Sequence, residues 1–385
     1  MIECMKSFQG KFLIALMLLA ASWEQLAGAG RPASAQAGKL SIDGPYLFRT
    51  ENGGLRTVSV DTAGNLQDQS YATVPENFTF DVYSDAGEKL FPVTLHPVSR
   101  PAWKEEQPEK VLVISDPHAD WECFASILEG QKVIDKDYRW IFGRNKLVII
   151  GDVFDRGKDV LPIYWLIYKL EDEAQKAGGN AIFLLGNHES MVLAGDLRYT
   201  DPKYVALADT LGMPYRDFWK DHTELGHWLG TRNTLQAIGD NLFVHAGISR
   251  QFLERKMSVP EVNEQMSRGL FLTKEERKAA SEPLAFMFAT YGPIWYRGMV
   301  HSADKYHPLP PEDLPPILDA YQVKRIFVGH TIFDDILTFY HYRVIAVNVD
   351  NKENCLNNGG RGVLIEGDRL SVIYDSGDKK PIEEK

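Results

Sequence analysis

The rhythm of apolar and polar positions changes once along the chain, near residue 110. Between residues 40 and 100 the apolar positions come in short alternating stretches broken by turn residues. Tyr46–Thr50 and Leu55–Asp61 flank Glu51-Asn52-Gly53-Gly54, a loop suited to a hairpin. Phe78, Phe80 and Val82 alternate with their neighbours, and Asp85-Ala86-Gly87 turns the chain into another extended piece, Lys89–Leu95. This predicts a small antiparallel β module, expected to be a stabilising appendage rather than a partner-binding domain. The Pro- and charge-rich stretch Arg100–Lys110 is expected to link it to the larger remainder of the chain.

From residue 111 buried apolar runs alternate with helical periodicity. Val111–Ile114, Lys146–Ile150 and Ala181–Leu185 are short, rich in Val, Ile and Leu, and bounded by Gly or polar residues, as strands buried on both faces are. Between the second and third, Asp159–Lys176 keeps Val160, Ile163, Leu166, Ile167 and Leu170 at helical spacing. Pro162 falls in its first turn and Gly178-Gly179 ends it, giving a β-α-β unit. Asn241–Val244, Arg325–Val328, Arg343–Val349, Gly362–Glu366 and Arg369–Tyr374 read as later strands. Residues 197–232 and 250–290 read as mainly helical, with Thr273-x-x-Glu276 as a capping box. The tail Ser376–Lys385 is polar and expected to fray.

Only one segment has the composition of a membrane-seeking run. Lys6 and Lys11 precede Phe12–Ala21, and the A-x-A sequences Ala27-Gly28-Ala29 and Ala33-Ser34-Ala35 come after it. About ten apolar residues fit a signal-peptide core and fall short of the ~20 that span a bilayer. The expected organisation is a signal peptide (1–35), the β module plus linker (36–105), a larger α/β domain (106–375) and the tail (376–385). Export to the periplasm or outside the cell is expected, with no stable membrane span after cleavage. With 44% hydrophobic residues over 385, a disordered chain is excluded. A formal charge of −11 argues against nucleic acid as a partner. Cys123 and Cys355 admit a disulfide in an oxidising compartment, but two buried free thiols are favoured, because a large apolar core needs no staple.

Candidate chemistry lies where the apolar runs stop. The five runs lead into Asp116-Pro117-His118, Asp152-Val153-Phe154-Asp155-Arg156-Gly157, Asn187-His188-Glu189, His245-Ala246-Gly247 and His330-Thr331. The carboxyl edge of an α/β sheet is where sites assemble. Asp116, Asp152 and Asn187 offer hard oxygen; His118, His245 and His330 offer imidazole. That mixture suits Mn, Fe or Zn, with manganese the cofactor expected to be added, and lacks the thiolates of a structural zinc knot. Six donors exceed one catalytic ion and suit two that share a carboxylate, for which Asp152 is central. Two such ions can clamp a phosphoryl group and acidify a bridging water.

The set D-x-H, G-D-x-x-D-R-G, G-N-H-E, H-A-G and G-H resembles the calcineurin-like metallophosphoesterase superfamily over roughly Val111 to Tyr374. Gly151–Gly157 and Gly186–Glu189 are closest to its phosphoprotein phosphatase branch. Gly292–Gly298 (GPIWYRG) and Gly329-His330-Thr331 resemble the bacterial and Shewanella-like phosphatases. The resemblance implies an α/β fold, a β-sandwich flanked by helices. It implies two divalent ions, one on Asp116, His118 and Asp152, the other on Asp152, Asn187, His245 and His330. His188 would be the acid that protonates the leaving group, held by Asp155, while Arg156 and Arg297 neutralise phosphate oxygens. Glu189 is expected to stabilise the motif's loop. Ser115 and Ala119 replace the glycines usual in the first motif, a change expected to touch the backbone beside the ions.

Together these give a metal-dependent phosphomonoesterase acting on phosphorylated protein or peptide (Ser/Thr or Tyr), with attack by hydroxide bridging the ions. A nucleotide or dinucleoside polyphosphate hydrolase is the alternative, for which Tyr291, Trp295 and Tyr296 would form a base-stacking wall. A catalytically silent binding module is the second. The partner of residues 40–100 stays open.

Overall fold

Strands buried on both faces need apolar surroundings above and below, and the chain supplies them by laying two sheets together. The computed structural model describes residues 39–383. Its strands are, in chain order, β1 (Asp43–Arg49), β2 (Leu55–Val60), β3 (Leu66–Tyr71), β4 (Thr79–Tyr83), β5 (Lys89–Thr94) and β6 (Lys104–Glu105). They continue with β7 (Val111–Ile114), β8 (Lys146–Ile149), β9 (Asn180–Phe183), β10 (Leu235–Ile238), β11 (Asn241–Val244) and β12 (Arg325–Val328). The last are β13 (Leu337–Phe339), β14 (Val344–Ala346), β15 (Arg361–Glu366), β16 (Arg369–Tyr374) and β17 (Lys379–Pro381).

One six-stranded sheet has the order β17-β16-β15-β7-β8-β9, with β7, β8 and β9 parallel. The other has the order β13-β14-β12-β11-β10-β6, with β11, β12 and β14 parallel. Val111, Val113, Val148, Ile150 and Ile182 from the first meet Phe243, Phe327 and Ile345 from the second in one core, and Phe243 stacks on Phe327 at 5.0 Å. Their strand neighbours Leu112, Ile114, Leu147 and Ile149 face the other way, onto helices α1 (Trp121–Gly130) and α2 (Val160–Lys176). Leu242, Val244, Ile326 and Val328 face a third cluster with the helical segments after residue 250. Each fully buried side chain of this size contributes about 1.5–3 kcal/mol. The mixed α/β sandwich with flanking helices is therefore the observed architecture, and it is what the resemblance implied.

Helix α2 is apolar nearly all round, from Val160 to Leu170, and a helix of that kind has to be covered on every side. The N-terminal strands complete its cover. β1–β3 form one antiparallel sheet and β4–β5 a hairpin. Tyr46, Phe48, Leu55, Val58, Phe91 and Val93 share the core cluster of α1 and α2. Phe80 meets Trp165 edge-on at 4.8 Å, and Trp165 Nε1 donates to Pro45 O at 3.1 Å. The described residues from Lys39 onward accordingly form one compact unit. Arg100–Lys110 is tied down: β6 pairs with β10, and Lys146 bridges to Glu105 at 2.6 Å.

Two local expectations are corrected. Residues 376–385 are not all frayed, since β17 pairs with β16 and Lys379 bridges to Glu366 at 2.6 Å. The free-thiol expectation is overturned as well. Cys123 on α1 and Cys355, at the end of the short helix Asn351–Cys355, are joined in a disulfide with their Cα atoms 5.6 Å apart. A large core does not remove the need to hold a surface turn, and this bridge spans a sequence separation of 232 residues to fasten that turn onto α1. Of the strands with no counterpart in the apolar pattern, β10 is buried along its whole length. Its buried Gln236 interrupts the run, and the side-chain amide is accommodated by donating to Ala102 O at 2.9 Å. The capping box at Thr273 and Glu276 is present. The expected signal peptide lies outside the described residues; among those described, no helix is long and apolar enough to cross a membrane.

Candidate active site

The carboxyl ends of the parallel strands in both sheets open onto one cleft. β7 delivers Asp116 and His118, β8 delivers Asp152, and β9 leads to Asn187 at the start of α3 (Asn187–Leu193). β11 delivers His245, and β12 delivers His330. Two groups of potential ligand atoms result, each within 4.8 Å: His118, Asp152 and His188, and Asp152, His245 and His330. Asp152 is common to both. Its Oδ2 lies 4.0 Å from His118 Nε2, 3.9 Å from His188 Nε2 and 3.2 Å from His245 Nε2.

Most of these side chains are held by their far ends. His118 Nδ1 donates to Phe154 O at 2.9 Å and His245 Nδ1 to Ile150 O at 2.8 Å, which turns both Nε2 atoms into the cleft. Asn187 Nδ2 points to Met191 Sδ, so its Oδ1 faces inward, 2.9 Å from His245 Nε2. His330 Nε2 is buried with no hydrogen-bond partner among the described residues. Asp116 accepts from His330 N at 3.2 Å, from Asn348 Nδ2 at 2.9 Å and from the Ser115 hydroxyl. An orphaned imidazole nitrogen beside converging oxygen and nitrogen lone pairs fits a pair of divalent cations. A buried polar group without a partner is otherwise costly.

The electrostatics express the same crowding. Burial alone raises the Asp152 carboxyl, but His245, His188 and His118 outweigh it and hold Asp152 well below the ordinary carboxylate range. Burial and the Asp152 charge lift Asp116 to about 6, with His245 opposing. Burial pushes His118 down to about 3 and takes His330 far below the ordinary imidazole value, so both favour the neutral form that can ligate. His188 moves the other way: burial lowers it, but Asp152 and Asp155 prevail and favour the imidazolium. Against burial, the Asp152 charge lifts His245 as well, to about 9, although a carbonyl is its Nδ1 partner, whereas Arg156 and His188 add to the burial that lowers His118. His188 Nδ1 donates to the Asp155 carboxylate at 2.6 Å, whereas His118 has only a carbonyl.

The backbone is bent to achieve this. Asp116, His118, Asp152, Asp155, Arg156 and His330 all have φ between +42° and +73°. Ala119, in place of a glycine, keeps φ at +55°, so the substitution noted in the sequence leaves a left-handed turn intact. Gly151 is required: at φ +76°, a Cβ would come within 2.7 Å of Gly186 Cα and 2.9 Å of His245 Nδ1. Glu189 fastens the loop. Its carboxylate accepts from Gly186 N at 2.7 Å, Asp152 N and Val153 N at 2.9 Å, and Tyr164 OH at 2.8 Å.

A sequence model described as calcineurin-like phosphoesterase matches residues 109–333, more than half of the chain. The chain belongs to that family. Among curated relatives, Shewanella-like protein phosphatase 1 of Plasmodium berghei (strain Anka) is 29% identical over 229 residues. That match covers 58% of this chain and 61% of the relative, so the chain spans about three fifths of that relative's length. Shewanella-like protein phosphatase 2 of Arabidopsis thaliana is 26% identical over 302 residues, covering 65% and 73% respectively. A cold-active protein tyrosine phosphatase of known structure is 31% identical, with a TM-score of 0.80, and the match covers 90% of this chain and 98% of that one. These likenesses lie on the phosphoprotein phosphatase branch, a family dependent on two metal ions.

The six residues expected to be ligands meet in this one cleft, with Asp116 joined through the His330 backbone. The His188–Asp155 pair forms beside them. Arg156 is exposed, and its guanidinium makes no hydrogen bond or ion pair among the described residues. Arg297 is half-buried, with Nη1 donating to His330 O at 2.9 Å and Thr331 Oγ1 at 3.0 Å. Asn348 is a site residue that the sequence reading misses, although it comes after the run Val344–Val347 as the other site residues come after theirs. Thr200, whose hydroxyl donates to Asp155 Oδ1 at 2.7 Å, carries no signal in the sequence. A cavity of about 560 Å³ opens beside the site, lined among others by Asp116, His118, Arg156, Ile332 and Asn348.

Proposed function

We propose that the protein is an exported phosphoprotein phosphatase whose preferred substrate is phosphotyrosine. The observation that carries the reaction type is the placement of the His188–Asp155 pair against the carboxylate common to both ligand groups. The likeness to a cold-active protein tyrosine phosphatase over 90% of the chain supports the substrate. So does the depth of the cleft, since Asp152, Asn187 and His245 are 2% exposed or less. A phenolic phosphate reaches such a floor more readily than a serine phosphate on its shorter stem.

In this reading Asp116, His118 and Asp152 would hold one divalent ion, and Asp152, Asn187, His245 and His330 the other. Such a pair supplies Lewis-acid charge and an acidified water near neutral pH. Arg156 and Arg297 bind non-bridging phosphate oxygens; Arg297 keeps Nη2 for this while Nη1 braces the His330 backbone. His188 gives its Nε2 proton to the departing oxygen, and Asp155, braced by Thr200, fixes the ring and favours its charge. No Ser or Cys stands in the motifs as a nucleophile, so no phosphoenzyme is invoked. Glu189 and Tyr164 hold the loop and touch no substrate.

The test is a turnover panel of phosphotyrosine, phosphoserine and phosphothreonine peptides, nucleotides and a phosphodiester, with purified protein and added manganese. Highest kcat/KM on phosphotyrosine peptide is expected; nucleotides turned over faster than every peptide would overturn the reading. Export rests on the leader sequence and is supported by the Cys123–Cys355 bridge, a feature of oxidising compartments. Mass spectrometry of protein from its native host should find an N-terminus between about residues 28 and 36. An intact Met1 in the cytoplasmic fraction would refute export.

A further inference from the structure

Tyr199 presents an exposed aromatic ring beside His188. It is 51% exposed, and its ring centroid lies 5.6 Å from that of His188. Ile332, two residues beyond His330, is equally exposed and lines the neighbouring cavity with His118 and Arg156.

The tyrosine is also positioned. Its carbonyl accepts from Arg156 N at 2.9 Å, and the next residue, Thr200, donates to Asp155. The carbonyl of Tyr199 is thus tied to the backbone of Arg156, and the side chain that follows it to the carboxylate that holds His188. Arg198 stands over the ring at 5.6 Å, itself held by Asp196 through Nε at 2.9 Å and Nη2 at 2.8 Å. The phenolic hydroxyl makes no hydrogen bond among the described residues, so the ring's shape rather than its polar end is what the site presents.

We infer that Tyr199 is a specificity-determining residue, a platform against which the aromatic ring of an aryl phosphate packs while His188 faces its ester oxygen. This rests on the proposed phosphatase reading and on His188 facing the leaving group. Ring pairs favour offset or edge-on packing at centroid separations of about 4.5–7 Å, and the 5.6 Å spacing of Tyr199 from His188 leaves a ring bonded to that oxygen within reach of both. An alkyl phosphate has no surface to place there.

The test compares inhibition by benzylphosphonate, in which a methylene group stands for the ester oxygen of an aryl phosphate, with methylphosphonate and inorganic phosphate in wild type, Tyr199→Ala and Tyr199→Phe, with circular dichroism to confirm folding. In Tyr199→Ala the inhibition constant for benzylphosphonate should rise about 5–10-fold, while those for methylphosphonate and phosphate move less than about twofold. Tyr199→Phe should restore most of the difference between the two phosphonates. Parallel losses for both phosphonates, or no change for either, would overturn the platform. The phosphatase reading is judged separately, by whether wild type turns over phosphopeptides at all. If wild type prefers phosphoserine, the substrate assignment fails while the phosphonate comparison still decides the role of Tyr199.

Discussion

Asp152→Asn should purify as a folded protein that holds neither of two metal equivalents, and its phosphatase activity should fall by at least ~10³-fold. Asp152 is the only residue shared by the two groups of clustered ligand atoms among the described residues. Its carboxylate sits 3.2 Å from His245 on one side and 4.0 Å from His118 on the other. An amide keeps the shape but halves the lone pairs and removes the charge, so neither cation would find its anionic partner. Changing residues that merely orient ligands typically costs 10–100-fold in metal affinity, and a shared ligand should cost more. His330→Ala removes a nitrogen from one group alone and should leave one tight equivalent. Metal analysis after gel filtration reads both variants directly. Two ions per chain at normal occupancy in the Asp152 variant would show that the carboxylate is not shared.

The site is legible in the sequence because its residues lie at strand ends. A strand buried on both faces is a recognisable apolar run, and the polar side chains within the next residues stand at the sheet's edge. Asp116, Asp152, Asn187, His245 and His330 are all found that way, and Asn348 obeys the same rule. Tyr199 and Thr200 are different. They reach the site because a loop folds back until Tyr199 O meets Arg156 N, an encounter across more than forty residues that no local pattern records. The strands without an apolar signature show the same division. β3, Leu-Gln-Asp-Gln-Ser-Tyr, is almost wholly exposed and exists because β2 offers it a ladder. β6 is two charged residues that pair with β10. Pairing across the fold overrides composition in such segments. The N-terminal strands reflect this too, for their apolar faces cover α2, whose buried circumference needs more surface than the sheet below it provides.

For His188 the expected signature is a loss that grows with the basicity of the leaving group. An oxygen that departs as nitrophenolate is stable without a proton, whereas the alkoxide of serine is not; the tyrosine phenol, with a pKa near ~10, lies between. General acid catalysis is worth ~10²–10⁴-fold, so His188→Asn should cost close to that on a phosphoserine peptide, less on phosphotyrosine and least on nitrophenyl phosphate. Asp155→Asn should show the same order more weakly, because it removes only the 2.6 Å hydrogen bond and the charge that favours the imidazolium. The series also separates acid from ligand, which distance alone does not, since His188 and His118 lie about equally near Asp152. A ligand's removal would lower every substrate alike and reduce metal content. The expectation rests on how these two rings differ: against burial, the Asp152 charge and the Asp155 carboxylate together favour the imidazolium at His188, whereas burial keeps His118 a neutral base for a cation. Equal losses on all three substrates with two ions still bound would mean that the departing oxygen takes its proton from elsewhere.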